Sequence, residues 1–100
     1  MAKKTNSSTE GTSFHDATIR ASVNQLINAF GEPTIQDNNG EYKVNFEWDM
    51  ETEEGDVFTI YDWKEYRKLD LDEMIEWHIG SHSRMISWDA QDELTRELSN

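Results

Sequence analysis

The segment YKVNFEWDM, from Tyr42 to Met50, is the clearest structural signal in the sequence, because large apolar side chains alternate strictly with polar ones along it. A period of two predicts a β-strand with one face in the core and the other in solvent. Glu51 to Asp56 reads as a hairpin loop, and Val57 to Trp63 as the antiparallel partner strand. Both faces of this partner strand are apolar, which is typical of a strand covered on both sides or of an interface.

The segments on either side of the hairpin extend it to a β-α-β-β-β-α order. Phe14 to Ala21 is a candidate first strand, and Ile75 to Ile79 alternates as a further strand. A helix is predicted from a cap at Ser22 to a stop at Gly31, with an apolar stripe formed by Val23, Leu26, Ile27 and Phe30. A last helix, capped by Ser87 or Asp89, carries Trp88, Leu94 and Leu98. The predicted class is α+β, with an antiparallel sheet of three to four strands, one helix on its apolar face and the last helix over part of the other.

One hundred residues predict a single domain. Residues 1–12 are polar and lack periodicity, so we expect a disordered tail there and one α+β domain over residues 13–100. The chain has no cysteine, which excludes disulfides and thiolate chemistry. No apolar run is long enough for a signal peptide or a membrane span, which favours a cytoplasmic location.

Acidity is the strongest feature of the composition. Before Glu32 the chain has two acidic and three basic side chains; from there on it has nineteen and six, a net charge of −13. Such a segment disfavours direct binding to nucleic acid or to anionic membranes and favours a partner with a basic surface. The candidate partner-binding residues form a run without any base: Glu47, Asp49, Glu51, Glu53, Glu54 and Asp56. Solubility alone is the simpler explanation, and mimicry of DNA would need further acidic elements or a second subunit.

A series of short motifs gives the chain a resemblance. In order, they are FGEP at residues 30–33, FEW at 46–48, TIYDWKEY at 59–66 and WHIG at 77–80. The pattern resembles that of small proteins encoded by tailed bacteriophages, with Ser81 in place of a second glycine after WHIG. The resemblance carries no catalytic residue over, and it implies a viral accessory protein acting in the host cytoplasm.

A second candidate site lies around the third predicted strand. Strict alternation turns Asp62 towards the same face as Phe58 and Ile60, so its carboxylate either points inward or leaves the strand for solvent. The inward alternative predicts a polar ligand or interface site, and its candidate residues are Tyr61, Asp62, Trp63, Lys64, Glu76, Trp77 and His78. No nucleophile, phosphate-loop or metal signature accompanies it, and the spacing of His78 and His82 is not meaningful on a strand. We therefore expect neither an enzyme nor a cofactor.

Three functions follow from these features. The first is an acidic accessory protein that binds and blocks a basic site on a host protein, with an anti-defence role or DNA mimicry as specific forms. The second is a small-ligand or nucleotide-binding module that uses the region of Trp63, Trp77 and His78. The third is a structural protein of the virion or of its assembly. The apolar outer face of Val57 to Trp63 also suggests a homodimer, unless the last helix covers it.

Overall fold

Two helices and an open antiparallel sheet build the part of the chain that the computed structural model describes, residues 1–99. The elements are β1 (Lys3–Lys4), β2 (Ser13–Ala21), α1 (Val23–Phe30), β3 (Ile35–Gln36), β4 (Phe46–Glu51), β5 (Val57–Tyr61), β6 (Ile75–Ser81) and α2 (Arg84–Leu98). The sheet order is β1-β4-β5-β6-β2, and β3 also pairs with β4. The predicted α+β class is therefore confirmed, but the sheet has six strands rather than three to four.

The β4–β5 hairpin has the register that the alternation indicates, with Glu47 opposite Tyr61 and Glu51 opposite Val57. The strand begins at Phe46, however, and not at Tyr42. The reason is that the carboxylate of Asp62 accepts hydrogen bonds from the backbone N–H groups of Asn45 and Phe46, each at 2.8 Å. The Asp62 side chain thus accepts hydrogen bonds from the backbone N–H groups at the start of the strand. The preceding residues form a loop.

The boundaries of α1 follow the local signals closely. The Ser22 hydroxyl accepts from the Gln25 N–H, and the Gln25 side chain accepts from the Ser22 N–H, which completes a capping box. Gly31 ends the helix with a φ of 88°, a backbone conformation that favours glycine. Val23 and Leu26 bury their side chains in the core.

Helix α2 corrects two expectations. Its N-cap is Ser83, whose hydroxyl accepts from the Ile86 N–H, rather than Ser87 or Asp89. It also packs on the same sheet face as α1: Ser87 is buried and forms a 2.6 Å hydrogen bond with Ser81 of β6. Small residues at the contact allow this close approach, while Trp88 stays 55% exposed. The opposite face of the sheet, here called the helix-free face, is therefore not covered by α2.

The N-terminal residues differ from the expected disordered tail. Ala2 is buried, and Lys3–Lys4 pairs as an edge strand with Glu51 and Met50 of β4. Because β1 and β2 lie at different positions across the sheet order, residues 5–12 have to cross the sheet to connect them. Thr9 and Thr12 lie against β4 and β5 side chains of the helix-free face, which places the crossing there.

The core lies between the sheet and the two helices and is centred on aromatic side chains. Phe46, Trp48 and Trp77 are fully buried and pack within 6.5 Å of one another between ring centroids. Both indole N–H groups donate at 2.9 Å to backbone carbonyls, of Gly31 and of Ala21, so burial leaves neither donor without a partner. Neither helix of residues 1–99 is long and apolar enough to cross a membrane.

Candidate functional site

The helix-free face collects the outward side chains of three neighbouring strands in one row. Register places Glu47 of β4 opposite Tyr61 of β5, and Tyr61 opposite His78 of β6. The next row contains Asp49, Thr59 and Gly80. Because paired residues on neighbouring strands share a face, a carboxyl group, a phenol and an imidazole stand side by side there.

Aromatic rings cover one side of this face. Phe14 of β2 stacks on His78 with ring centroids 3.9 Å apart, and Trp63 lies almost parallel to His78 at 6.2 Å. Tyr61 meets the Trp63 ring edge-on at 6.0 Å. Phe14 and Trp63 remain 38% and 39% exposed, so the rings are accessible to a partner. Burial lowers the pKa of His78, and the charge of Glu76 acts in the opposite direction.

Glu47 and Asp49 form a carboxyl pair on this face. Burial is the main cause that raises the pKa of Glu47 from 4.5 to about 7, and a hydrogen bond to Asp49 together with the Asp49 charge adds to the rise. Neither carboxyl makes an ion pair with a basic side chain of residues 1–99. Asp49 Oδ1 is enclosed by the protein and has no hydrogen-bond partner. Among the buried side-chain nitrogen and oxygen atoms of residues 1–99, it is the one atom of this kind. The pair thus has two acidic groups and no cation.

A groove of about 250 Å³, here called the aromatic groove, opens beside Glu47. Glu47, Tyr61 and Trp63 form its sheet side together with Ser13 at the start of β2, and the crossing segment contributes Thr9 and Thr12. Gly80 lies at its floor, where a Cβ atom would come within 2.7 Å of Thr59 Oγ1. The absence of a side chain at Gly80 therefore helps to keep this space open.

The structure does not bring the predicted polar site together. Asp62 is fully buried, but its carboxylate is bonded to Asn45 and Phe46, away from His78. Burial raises the pKa of Asp62, and the hydrogen bonds from Phe46 and Asn45 act against that rise. Trp77 points into the core and His78 to the helix-free face, so Trp77 is not a wall of any site shared with His78. Asp62 therefore anchors the loops on either side of the hairpin.

Lysines accompany the aromatic rings instead. Lys64 and Lys43 hold their ammonium groups 5.6 Å and 5.7 Å from the centroid of the Trp63 ring. These distances are within the range of cation–π attraction, although both side chains belong to exposed residues. Trp63 and Lys64 of the predicted site are thus neighbours, together with Tyr61 and His78, while Asp62 and Trp77 lie elsewhere.

Five of the six predicted acidic residues divide between two places, and Asp56 lies apart from both. Glu47, Asp49 and Glu51, here called the acidic ladder, share the helix-free face of β4, and Lys3 stands across from Glu51. Glu53 and Glu54 instead join acids of α2 in a cleft of about 180 Å³, the acidic cleft, with Asp89, Asp92 and Glu93. Asp56 closes the hairpin turn, where its N–H donates to Thr52.

The α2 acids were absent from the candidates named from the sequence. The spacing of Asp89, Asp92 and Glu93 on one helix was visible, but only the fold brings them beside the hairpin tip, where the Glu53 N–H donates to Glu93 Oε1 at 2.9 Å. Arg96 lines the cleft and pairs with Asp92 at 2.8 Å, and the amino group of Met1 lies 3.7 Å from Glu53 and 3.8 Å from Glu93. Two cationic groups thus neutralise part of this surface.

The chemistry open to these surfaces is limited. Within residues 1–99, no group of three or more His, Asp or Glu side chains is placed to hold a metal ion. A carboxyl group that titrates near neutrality can exchange a proton or act as the counter-charge of a cation.

No protein-family model, curated protein or solved structure matches the chain.

Proposed function

We propose that this protein is a non-enzymatic binding protein that presents the acidic end of its β4–β5 hairpin to a basic site on a partner protein. The observation that carries the proposal is the assembly of acids from distant parts of the chain at one hairpin. The acidic ladder lies on one side of it and the acidic cleft on the other. Opposite potentials accelerate encounter and suppress wrong partners, and a binding protein of this kind needs no reaction chemistry.

The biological setting that we propose rests on the resemblance of the motif pattern to that of tailed-phage proteins. On that basis we propose a host protein as the partner, and the blocking of its basic site as the effect. A site that normally binds nucleic acid is a natural target, since acids on both a strand and a helix present a broader array than one ladder alone. Along the ladder, successive carboxylates are about 6.8 Å apart, sparser than the phosphates of DNA. The acidic cleft supplies the second element that mimicry would need.

Affinity capture with matched charge variants tests this function. The cleft variant E53Q/E54Q/D89N and the control variant E10Q/E32Q/E41Q each remove three exposed negative charges. Proteins that the unaltered chain captures from host lysate are identified and purified, and their binding to all three forms is measured calorimetrically at low and high salt. With each exposed pair contributing up to about 1 kcal/mol, we expect the cleft variant to bind ~30-fold more weakly and the control variant to bind almost normally.

The salt series adds a second criterion. Contacts between exposed charges are screened beyond a Debye length of about 10 Å at 0.1 M salt, so the affinity should fall steeply as salt rises. Partners without a basic surface, affinity that does not respond to salt, or equal weakening of both variants would contradict the proposal.

A small-ligand site is the second candidate function, and one observation favours it. The aromatic groove has about 250 Å³ of space between Tyr61, Trp63 and polar groups, a composition typical of ligand sites. Its residues differ from the predicted set, because Trp77 is in the core. Thermal-shift screening against nucleotides tests this candidate, and stabilisation that is lost in W63A would support it.

A further inference from the structure

We propose that the aromatic groove receives the guanidinium group of an arginine side chain from the basic partner, with Glu47 as its counter-ion and Tyr61 and Trp63 as its walls. This inference rests on the proposed function and names the group that the site would recognise.

The first argument is that the two neighbouring carboxyl groups have no cationic partner. Glu47 and Asp49 lie next to each other, and neither has an ion pair within residues 1–99. The Asp49 charge disfavours ionisation of Glu47, and of these two carboxyl groups Glu47 is the one that lines the groove. A partly buried carboxylate that has no cationic partner favours the binding of a cation that also donates hydrogen bonds. The groove therefore lacks the charge that a basic ligand would bring.

The walls indicate which cation fits. Tyr61 and Trp63 meet at 84° and so present two aromatic surfaces in different orientations beside Glu47. A guanidinium group is planar, is weakly hydrated, stacks on aromatic rings and donates in a fork that matches a carboxylate. The groove volume of about 250 Å³ equals roughly eight water molecules, which is ample for such a group. A small metal ion would leave the aromatic walls without a role.

Hydroxyl groups complete the surroundings. Thr9 and Thr12 of the crossing segment and Ser13 at the start of β2 line the groove, and their hydroxyl groups can accept hydrogen bonds from guanidinium N–H groups that Glu47 does not reach. Lys43 and Lys64 contact Trp63 without an ion pair to Glu47 or Asp49. They are the residues of this chain that would compete with the arginine for Trp63.

Arginine would have to displace the Glu47 proton, so its affinity for the groove should depend on pH. The titratable and charged groups around Glu47 are Asp49 on β4, Tyr61 on β5, His78 on β6, and the lysines on Trp63. Burial and the Glu47 charge raise the pKa of Tyr61, so the phenol stays neutral near pH 7, and burial lowers the pKa of His78. With a Glu47 pKa of about 7, the ionised fraction rises about tenfold between pH 6 and pH 8.

The test uses a short Gly/Ser peptide with one arginine and its neutral citrulline counterpart, titrated into the full chain by NMR. We expect saturable shifts of the Trp63 indole, Tyr61 and Glu47 signals with the arginine peptide, and about tenfold tighter binding at pH 8 than at pH 6. E47Q should weaken binding at pH 8 at least about tenfold, because a charge-assisted hydrogen bond is lost. The control variant E32Q, which removes an exposed charge outside the acidic ladder and the acidic cleft, should bind normally.

Several outcomes would overturn the inference: equal binding of the citrulline peptide, equal or tighter binding of a lysine peptide, pH-independent affinity, or shifts confined to the acidic cleft. The two proposals fail separately. A captured partner that depends on the acidic cleft but not on Glu47 leaves the proposed function standing and rejects the groove. Arginine binding in the groove with no salt-dependent partner rejects the proposed function instead.

Discussion

Replacing Glu47 by glutamine should stabilise the protein, and only above acidic pH. In the folded chain Glu47 has a pKa of about 7 instead of 4.5, because burial and Asp49 disfavour its charged form. Below pH 4.5 the folded and unfolded chains both hold the proton. As the pH rises towards 7, the unfolded chain releases it first, so stability is lost over this window and the loss is complete above about pH 7. Glutamine does not titrate, and its amide can donate to Asp49 as the protonated acid does.

The magnitude follows from the size of this pKa change. A rise from 4.5 to about 7 corresponds to ~3 kcal/mol if it were converted in full. Glu47 is only partly buried, so solvent screens the interaction, and about half of that figure is a reasonable expectation. E47Q should therefore gain ~1.5 kcal/mol at pH 8, which for a chain of this length raises Tm by about 8 °C. At pH 4.5 the gain should nearly vanish.

Urea unfolding followed by tryptophan fluorescence, at pH 4.5 and pH 8, measures this difference. E51Q is the matched control because it removes the same charge from the same strand face, and a surface change of this kind should alter stability by less than about 0.5 kcal/mol. Comparing the two variants cancels the general effect of the net charge of −12. A gain for E47Q that is equal at both pH values, or a loss at pH 8, would refute the reasoning. So would the same gain in E51Q.

Three further predictions concern the stability of the fold. D62A should cost about 3 kcal/mol in urea unfolding because the buried N–H groups of Asn45 and Phe46 lose their acceptor, and a cost below about 1 kcal/mol would show that water replaces it. G80A should cost about 1–2 kcal/mol by the same assay, since its Cβ would lie 2.7 Å from Thr59 Oγ1, and an unchanged midpoint would show that Thr59 can move. S83A should cost about 1 kcal/mol, measured by thermal denaturation, because the Ile86 N–H loses its cap; an unaffected Tm would argue against Ser83 as the N-cap.

Local signals predict the elements whose boundaries are set by local contacts. The capping box at Ser22 and the glycine at position 31 are complete within the sequence, and α1 follows them. The strict alternation around Phe46 likewise gives the correct register of the hairpin, because a one-residue slip would turn every core side chain outward. These elements need no information from distant residues.

The elements that the sequence does not predict depend on distant partners. β1 and β3 are two residues each, too short for any period, and both form by pairing with β4. The start of β4 shifts because Asp62, from beyond the hairpin loop, takes its first donors. The predicted caps Ser87 and Asp89 lie inside α2, which begins one turn earlier at Ser83, because Ser87 and Ala90 are buried in the packing of the helix against the sheet.

The candidate site was partly predictable. The hairpin register alone places Glu47 beside Tyr61, and neighbouring residues on a strand point to opposite faces, so Trp77 and His78 could have been separated from the sequence. The contribution of residues 9–13 to the groove could not, because nothing local directs a polar segment across a sheet. The joining of the hairpin tip to the α2 acids also requires the folded arrangement.

Amide chemical-shift mapping with an arginine-rich peptide, at low and high salt, tests whether the acidic hairpin end binds a basic protein surface. We expect shifts concentrated in residues 47–56 and 89–93, strongly reduced at high salt, with little change over α1. Shifts centred on other surfaces, a pattern that high salt leaves unchanged, or no binding at low salt would contradict it.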